Sequence, residues 1–315
     1  MERESPRVDR RGLLQGTLAS AAGLAVAPDL LAAEKEPAPN RKLNGRIKQS
    51  ICLWCFSAGG EKWDLDTTCG VANELGCVSI ELLRPDQFAT VKKHGLTCAI
   101  ASNGMPGGFK RGFNNPAHRD DLIKRTLETI DACQSAGVKS VIGFVGMKWE
   151  NPDDPTSKEI PLAFAREHCI QAIKEVAPAA EKAGVNLCIE HLNSRDGSHP
   201  MKGHPGYQGD DLDFVADVVR AVGSPNVKLL FDIYHVQVMH GDVVRRLEQC
   251  KDVIGHIHTA GNPGRCELDE NQELNYGPAM KKLLEIGYQG YVGHEFIPTR
   301  DPRAGLRQAV QICDV

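Results

Sequence analysis

The chain has 315 residues, of which 41% are hydrophobic and 25% charged, with a formal net charge of −4 and eleven cysteines. This composition excludes a disordered polymer, and its mild acidity argues against nucleic acid, where a basic face would be expected. The length suits one large domain or two small ones, with ample chain to bury a core.

Residues 1–33 read as a targeting segment. Arg10-Arg11-Gly12-Leu13-Leu14 is an arginine pair ahead of a weakly apolar run, 13–27, that is rich in Ala and Gly and too short to span a membrane comfortably. The pattern is that of a bacterial twin-arginine export signal, so the expected location is periplasmic. Residues 34–46 are polar and proline-bearing and read as a linker outside the fold. No other run is long enough to cross a membrane.

From residue 47 onward the pattern alternates strand and helix. Strands are expected at 49–55, 77–81, 96–101, 138–144, 185–190, 227–232, 253–258 and 291–295. Helices are expected at 67–75, 85–94, 118–136, 162–183, 211–222, 236–249, 277–286 and 302–312. Leu122, Ile123, Thr126, Leu127 and Ile130 fall at helical spacing, and Gly76, Gly95, Gly137, Gly184, Gly223 and Gly287 close helices. Eight such units in strict alternation predict a (β/α)8 TIM barrel over residues 47–315, close to the roughly 250 residues typical of that fold. A doubly wound open sheet is the competing architecture, but no Gly-x-Gly-x-x-Gly follows the first strand.

In such a barrel the functional groups lie at the carboxyl ends of the strands. Glu190, Asp232, His258 and Glu295 each close an apolar run, on the fifth to eighth strands. Three carboxylates and one imidazole form a divalent-metal set better suited to Mg2+ or Mn2+ than to structural zinc. The two glutamates also have the basicity to move protons. Strand parity places His256 on the face of His258, one layer lower, and excludes His191 and His294 as ligands.

Other residues follow from position. His235 lies just past the sixth strand, within reach of a ligand at the mouth. Arg265 suits a carboxylate or sugar oxygens. Glu273 is expected to bind substrate or to pair with Arg265. Glu81 either faces the mouth or pairs locally, and Trp54 and Phe56 offer an apolar wall. The stretch after Glu190, with His199, Lys202, His204, Tyr207 and Gln208, is long enough for a lid. The cysteines are scattered through strand and helix patterns and read as core packing. Cys52 and Cys55, three apart on an expected strand, would point to opposite faces.

Glu190-His191-Leu192-Asn193, Phe231-Asp232-Ile233-Tyr234-His235, His256-Ile257-His258, Asn262-Pro263-Gly264-Arg265, Glu273-Leu274-Asn275-Tyr276 and Gly293-His294-Glu295-Phe296 together resemble hydroxypyruvate isomerase. That family sits within the xylose isomerase-like barrels, which also include ketose 3-epimerases. The resemblance spans residues 47–315 and implies one divalent metal ion on Glu190, Asp232, His258 and Glu295, with the two glutamates as the acid–base pair. It implies conversion of hydroxypyruvate to tartronate semialdehyde, hence a small sugar or keto-acid partner; oligomeric state is left open. A ketose 3-epimerase, an inosose-type dehydratase and a non-catalytic periplasmic sugar-binding barrel are the alternatives. A barrel endonuclease with three zinc ions would need more strand-end histidines and a basic groove. The chain departs from the isomerase pattern at His258, where glutamine is typical and the epimerases carry histidine. It also departs at His191, usually proline, and at Cys266-Glu267-Leu268, which replaces a His-Glu-Pro segment.

Overall fold

The computed structural model describes residues 42–315, so the arginine pair and the export segment lie outside the described residues. Eight parallel strands form one sheet: β1 (Lys48–Cys52), β2 (Ser79–Glu81), β3 (Thr97–Cys98), β4 (Ser140–Phe144), β5 (Asn186–Glu190), β6 (Val227–Asp232), β7 (Ile254–Thr259) and β8 (Tyr291–His294). Their order is β3-β2-β1-β8-β7-β6-β5-β4. The ring closes just past the short β3, where Ala101 donates its N–H to Ser140 O at 2.9 Å and accepts from Ile142 N at 2.9 Å. This is the predicted TIM barrel. Parallel strands need crossover helices, and a strand buried on both faces loses its polar alternation, as the apolar cores of β4 to β7 show.

The helices are α1 (Leu53–Ala58), α2 (Leu65–Leu75), α3 (Phe88–Lys93), α4 (Arg119–Ala136), α5 (Leu162–Ala183), α6 (Leu212–Val222), α7 (Ile233–Met239), α8 (Val243–Gln249), α9 (Tyr276–Glu285) and α10 (Pro302–Cys313). Asp64 and Asp211 cap α2 and α6 by accepting from Thr67 N and Phe214 N, each at 2.8 Å. Gly137 and Gly184 end α4 and α5 at φ of 80° and 61°, a left-handed turn that a side chain would strain. α5 buries Ala165, Cys169, Ala172, Ile173, Val176 and Ala180 along one stripe, at helical spacing. Among the described residues no helix is long and apolar enough to cross a membrane.

Three expectations are corrected. The first strand stops at Cys52, and residues 53–58 turn into α1, so Cys52 and Cys55 do not lie on one strand. The helix expected at 236–249 is two helices; it begins earlier, at Ile233, and breaks around Gly241 and Asp242, both at positive φ. The linker does not run to residue 46. The Asp314 carboxylate accepts from Asn44 N at 2.6 Å and Gly45 N at 3.0 Å, and Arg46 Nε donates to Val315 O at 2.9 Å, so 44–46 belong to the barrel floor. All eleven cysteines are free; ten are buried and Cys266 is half-buried, in keeping with their reading as core residues.

Candidate active site

Glu190 is the last residue of β5 and Asp232 the last of β6. His258 lies one residue before the end of β7, and Glu295 follows β8 directly. One donor atom from each lies within 4.8 Å of the others, and all four residues are buried. Three backbone facts aim them. The β6–β7 register pairs Asp232 with His258, which sets these two side by side. Asp232 caps α7: its Oδ1 accepts from Tyr234 N at 2.8 Å and His235 N at 3.1 Å, which leaves Oδ2 buried without a hydrogen-bond partner. Glu295 N donates to Thr259 O at 2.9 Å, which prolongs the ladder past β8.

His258 is the hub. Its Nδ1 lies 3.0 Å from Glu295 Oε2 and 3.3 Å from Glu190 Oε1, and its Nε2 lies 3.1 Å from Glu81 Oε1. Glu81, fully buried at the end of β2, therefore faces inward and also pairs locally. Cys52 donates to its Oε1 at 3.1 Å, and His256 Nε2 stands 2.9 Å from its Oε2, close but poorly aligned. Burial alone would raise the Glu81 carboxyl; His256 and His258 overcome this and hold it below the usual range. The carboxylate fits because residue 293 is glycine: a Cβ there would sit 1.6 Å from Glu81 Oε1.

The two glutamates differ. Glu190 is raised to about 7, chiefly by burial, with Glu295 and Asp232 adding repulsion against the pull of His258. Glu295 is pushed the other way: despite its burial, the Arg265 guanidinium and His258 keep it well below the usual range. Both its oxygens are also taken, Oε2 by Arg265 Nη2 at 2.7 Å and Oε1 by Trp54 Nε1 at 2.8 Å. Asp232 is raised to about 6 by burial and by Glu295.

Arg265 sits at φ 52°, a left-handed conformation costly for a residue with a side chain and typical of functional sites. Its guanidinium lies 5.2 Å from the Trp54 ring and 5.9 Å from that of Tyr234. Nη1 donates to Met201 O, while Nε is buried with no partner. His235 Nδ1 takes the Asn193 amide at 2.7 Å. Asn193 is itself oriented by accepting from Asp196 N and donating to Lys202 O, so His235 carries its proton on Nε2, 3.6 Å from Asp232 Oδ2.

Glu190, Arg265 and Glu295 open onto a cavity of about 310 Å3. Trp54 lines it, but Phe56 does not: that ring is buried against Trp63 and Phe296. Glu273 also lies elsewhere. It is exposed, accepts from Asn262 and Gln237 side chains, and does not meet Arg265, whose charge is already matched by Glu295. His191 and His294 stand outside the four-donor group, bonded to Asp210 O and to Gln49 and Thr259. The segment after β5 covers the mouth with Met201 and His204, and Tyr207 fastens it by donating to Glu190 O at 2.9 Å and accepting from Val145 N at 2.8 Å. Sequence reasoning includes Asn193 in the Glu190-His191-Leu192-Asn193 motif without a role and misses Asn103, whose Nδ2 is unpaired and which lines the cavity; a lone asparagine on a loop carries no signal of its own.

A family model for the xylose isomerase-like TIM barrel matches residues 72–314. A 2-oxo-tetronate isomerase from Cupriavidus necator is 36% identical over 244 residues, 73% of this chain and 86% of that protein. The hydroxypyruvate isomerase of Escherichia coli is 31% identical over 192 residues, 61% of this chain and 68% of that protein. Among solved structures, one titled AP endonuclease, family 2, from Brucella melitensis superposes with a TM-score of 0.66 at 26% identity, covering 82% of this chain and 97% of that one. This chain belongs to the xylose isomerase-like TIM barrel family, and it is an isomerase.

Proposed function

We propose that this protein interconverts short keto acids by moving a proton between carbons 2 and 3, as for hydroxypyruvate and tartronate semialdehyde, with one divalent ion held by Glu190, Asp232, His258 and Glu295. The observation that carries the reading is the convergence of Glu190 and Glu295, two buried carboxylates from the ends of β5 and β8 that line one cavity and share a four-donor group with Asp232 and His258, as a proton-transfer pair beside a metal requires. The donor set fits a hard cation such as Mg2+ or Mn2+, since Asp232 Oδ2 is otherwise a buried acceptor with no hydrogen-bond partner. When bound, the ion polarises the substrate carbonyl and makes the neighbouring C–H more acidic.

The residues then divide the work. Glu295, kept ionised by Arg265 and fixed by Trp54, takes the proton from C3. The C3–H electron pair becomes the C2–C3 double bond of an enediolate, the C2 carbonyl pair moves onto its oxygen, and that oxygen takes the proton of the C3 hydroxyl. Glu190 then protonates C2, the electron pair left on the C3 oxygen forms the aldehyde carbonyl, and the two glutamates return to their starting states by proton exchange with solvent. Arg265 Nε, from a residue on the cavity wall, and His235 Nε2, 3.6 Å from Asp232 Oδ2, are buried donors without a partner and are assigned to the substrate's oxygens. The cover formed by Met201 and His204 keeps water from the enediolate.

A ketose 3-epimerase uses the same parts and is the second reading; histidine at position 258 favours it, and Arg265, suited to a carboxylate, favours the acid. A three-zinc site lacks support: the two metal-competent groups among the described residues share His258. Export by the twin-arginine route stays part of the proposal, on Arg10-Arg11 and the apolar run after them; N-terminal sequencing of the exported protein tests it. A substrate panel of hydroxypyruvate, ketohexoses and inososes on metal-loaded protein tests the reaction. Turnover of ketoses without turnover of keto acids would replace the isomerase reading with the epimerase one.

A further inference from the structure

We propose that Asn103 is a specificity-determining residue. Its side-chain amide donates to a hydroxyl on the carbon beyond the two reacting carbons, so the favoured substrate is a keto acid of four or more carbons. The inference rests on the keto-acid reading above and extends it to the length of the substrate.

Asn103 lies on the rim past β3. In the strand order, β3 is four places from β7, so Asn103 stands across the mouth from His258. It lines the same cavity as Glu190, Arg265 and Glu295. It is only 2% exposed, and its Oδ1 accepts from Met105 N at 3.1 Å. That bond fixes which way the amide faces and leaves Nδ2 buried with no partner. A buried N–H pair left unpaired is costly, and natural structures keep such groups where a ligand or water will meet them. The wall around it is largely apolar, from Leu82, Phe109, Ile142, Phe144 and Leu192; the neighbouring Ser102 hydroxyl accepts from Gly104 N at 3.5 Å and makes no bond to the amide.

Size points the same way. A cavity of about 310 Å3 reaches the lower end of pockets for drug-sized ligands, and a three-carbon acid held at the carboxylates would leave its far side empty. In a four-carbon 2-keto-3,4-dihydroxy acid the proton still moves from C3 to C2. The added C4 hydroxymethyl extends away from the β5–β8 side toward β3, where its oxygen can accept from Asn103 Nδ2. A site built to bond a hydroxyl discriminates strongly against the analogue lacking it, because its buried donor is then left unpaired.

The test is steady-state kinetics of metal-loaded enzyme on hydroxypyruvate and on 2-oxo-tetronate, for wild type, Asn103→Asp and Asn103→Ala. The aspartate keeps an acceptor for Met105 N and so preserves the loop while removing the donor; circular dichroism of each variant monitors the fold. The expected result is that wild type favours the four-carbon acid, and that both variants lower the ratio of kcat/KM, four-carbon over three-carbon, by about ten- to a hundredfold. An unchanged ratio, with both substrates losing equally, would overturn the role of Asn103. Turnover of hydroxypyruvate with none of the four-carbon acid would overturn it too while leaving the isomerase reading intact. Turnover of neither acid by the loaded wild type would remove both.

Discussion

Arg265 donates from Nη2 to Glu295 Oε2 at 2.7 Å, so the group best suited to bind a substrate carboxylate also sets the ionisation of the proposed base. Binding and proton transfer are thereby tied to one side chain. The arginine in turn depends on the cover over the mouth, since its Nη1 donates to Met201 O.

Replacing Arg265 by Lys keeps the charge but removes Nε, the donor left free for substrate, together with the planar guanidinium that holds Glu295 and Met201 O. On a keto acid, kcat/KM is expected to fall about ten- to a hundredfold, matching a charge-assisted hydrogen bond of ~1.5–3 kcal/mol. On a neutral ketose the loss should be smaller. Equal losses on both substrate classes would show that Arg265 acts only through Glu295.

Glu190→Gln and Glu295→Gln each keep an oxygen that can ligate but remove the carboxylate that exchanges a proton. Turnover should fall by about 10²–10⁴-fold with the fold unchanged by circular dichroism. A near-normal rate in either variant would remove that residue from the proton-transfer assignment.

Glu81 touches no substrate, yet it holds His258 by Nε2 and so turns Nδ1 toward the other three donors. Glu81→Gln should weaken metal affinity by about 10–100-fold, read by calorimetric titration with Mn2+ into metal-free protein. Unchanged affinity would mean that the Cys52–Glu81–His256 cluster serves packing alone.

His204 gives a pH test of the cover. Burial, with the Arg265 charge second, lowers its pKa to about 3, while an exposed imidazole titrates near 6.5. The folded ring therefore binds fewer protons than the opened one. The closed segment keeps this advantage above about pH 6.5 and loses it as pH falls toward 3. Hydrogen-exchange protection in residues 192–210, corrected for intrinsic exchange, should drop by up to about tenfold per pH unit below 6.5. The variant His204→Phe, which keeps a ring beside Phe109 at 4.2 Å, should flatten the trend. A variant with the wild-type pH dependence would place the titrating group elsewhere.

The barrel was legible because its signals are local. The apolar stripe of α5 and its glycine stop define 162–183, and the carboxyl-terminal residues of β5 and β6 are polar groups closing apolar runs. α1 was missed because Leu53-Trp54-Cys55-Phe56 is an apolar run too short for its period to separate helix from strand. Residues 44–46 read as linker in the sequence because their anchor, Asp314, lies about 270 positions away. Glu273 reads as a site residue through the Glu273-Leu274-Asn275-Tyr276 motif, or as the partner of Arg265, whereas Arg265 is matched by Glu295 from the next strand. Asn103 and Asn193 act through the orientation of single amides, which only the packed structure fixes.

The most direct test of the central claim is the fate of the substrate's C3 proton. Metal-loaded protein would be incubated with hydroxypyruvate or 2-oxo-tetronate in D2O and the products followed by NMR, with and without prior chelation. Two glutamates sharing the transfer predict the isomerised product with deuterium at C2, and no product once the metal is stripped. Absence of the isomerised product from either acid with the loaded protein, or full activity after chelation, would contradict the account.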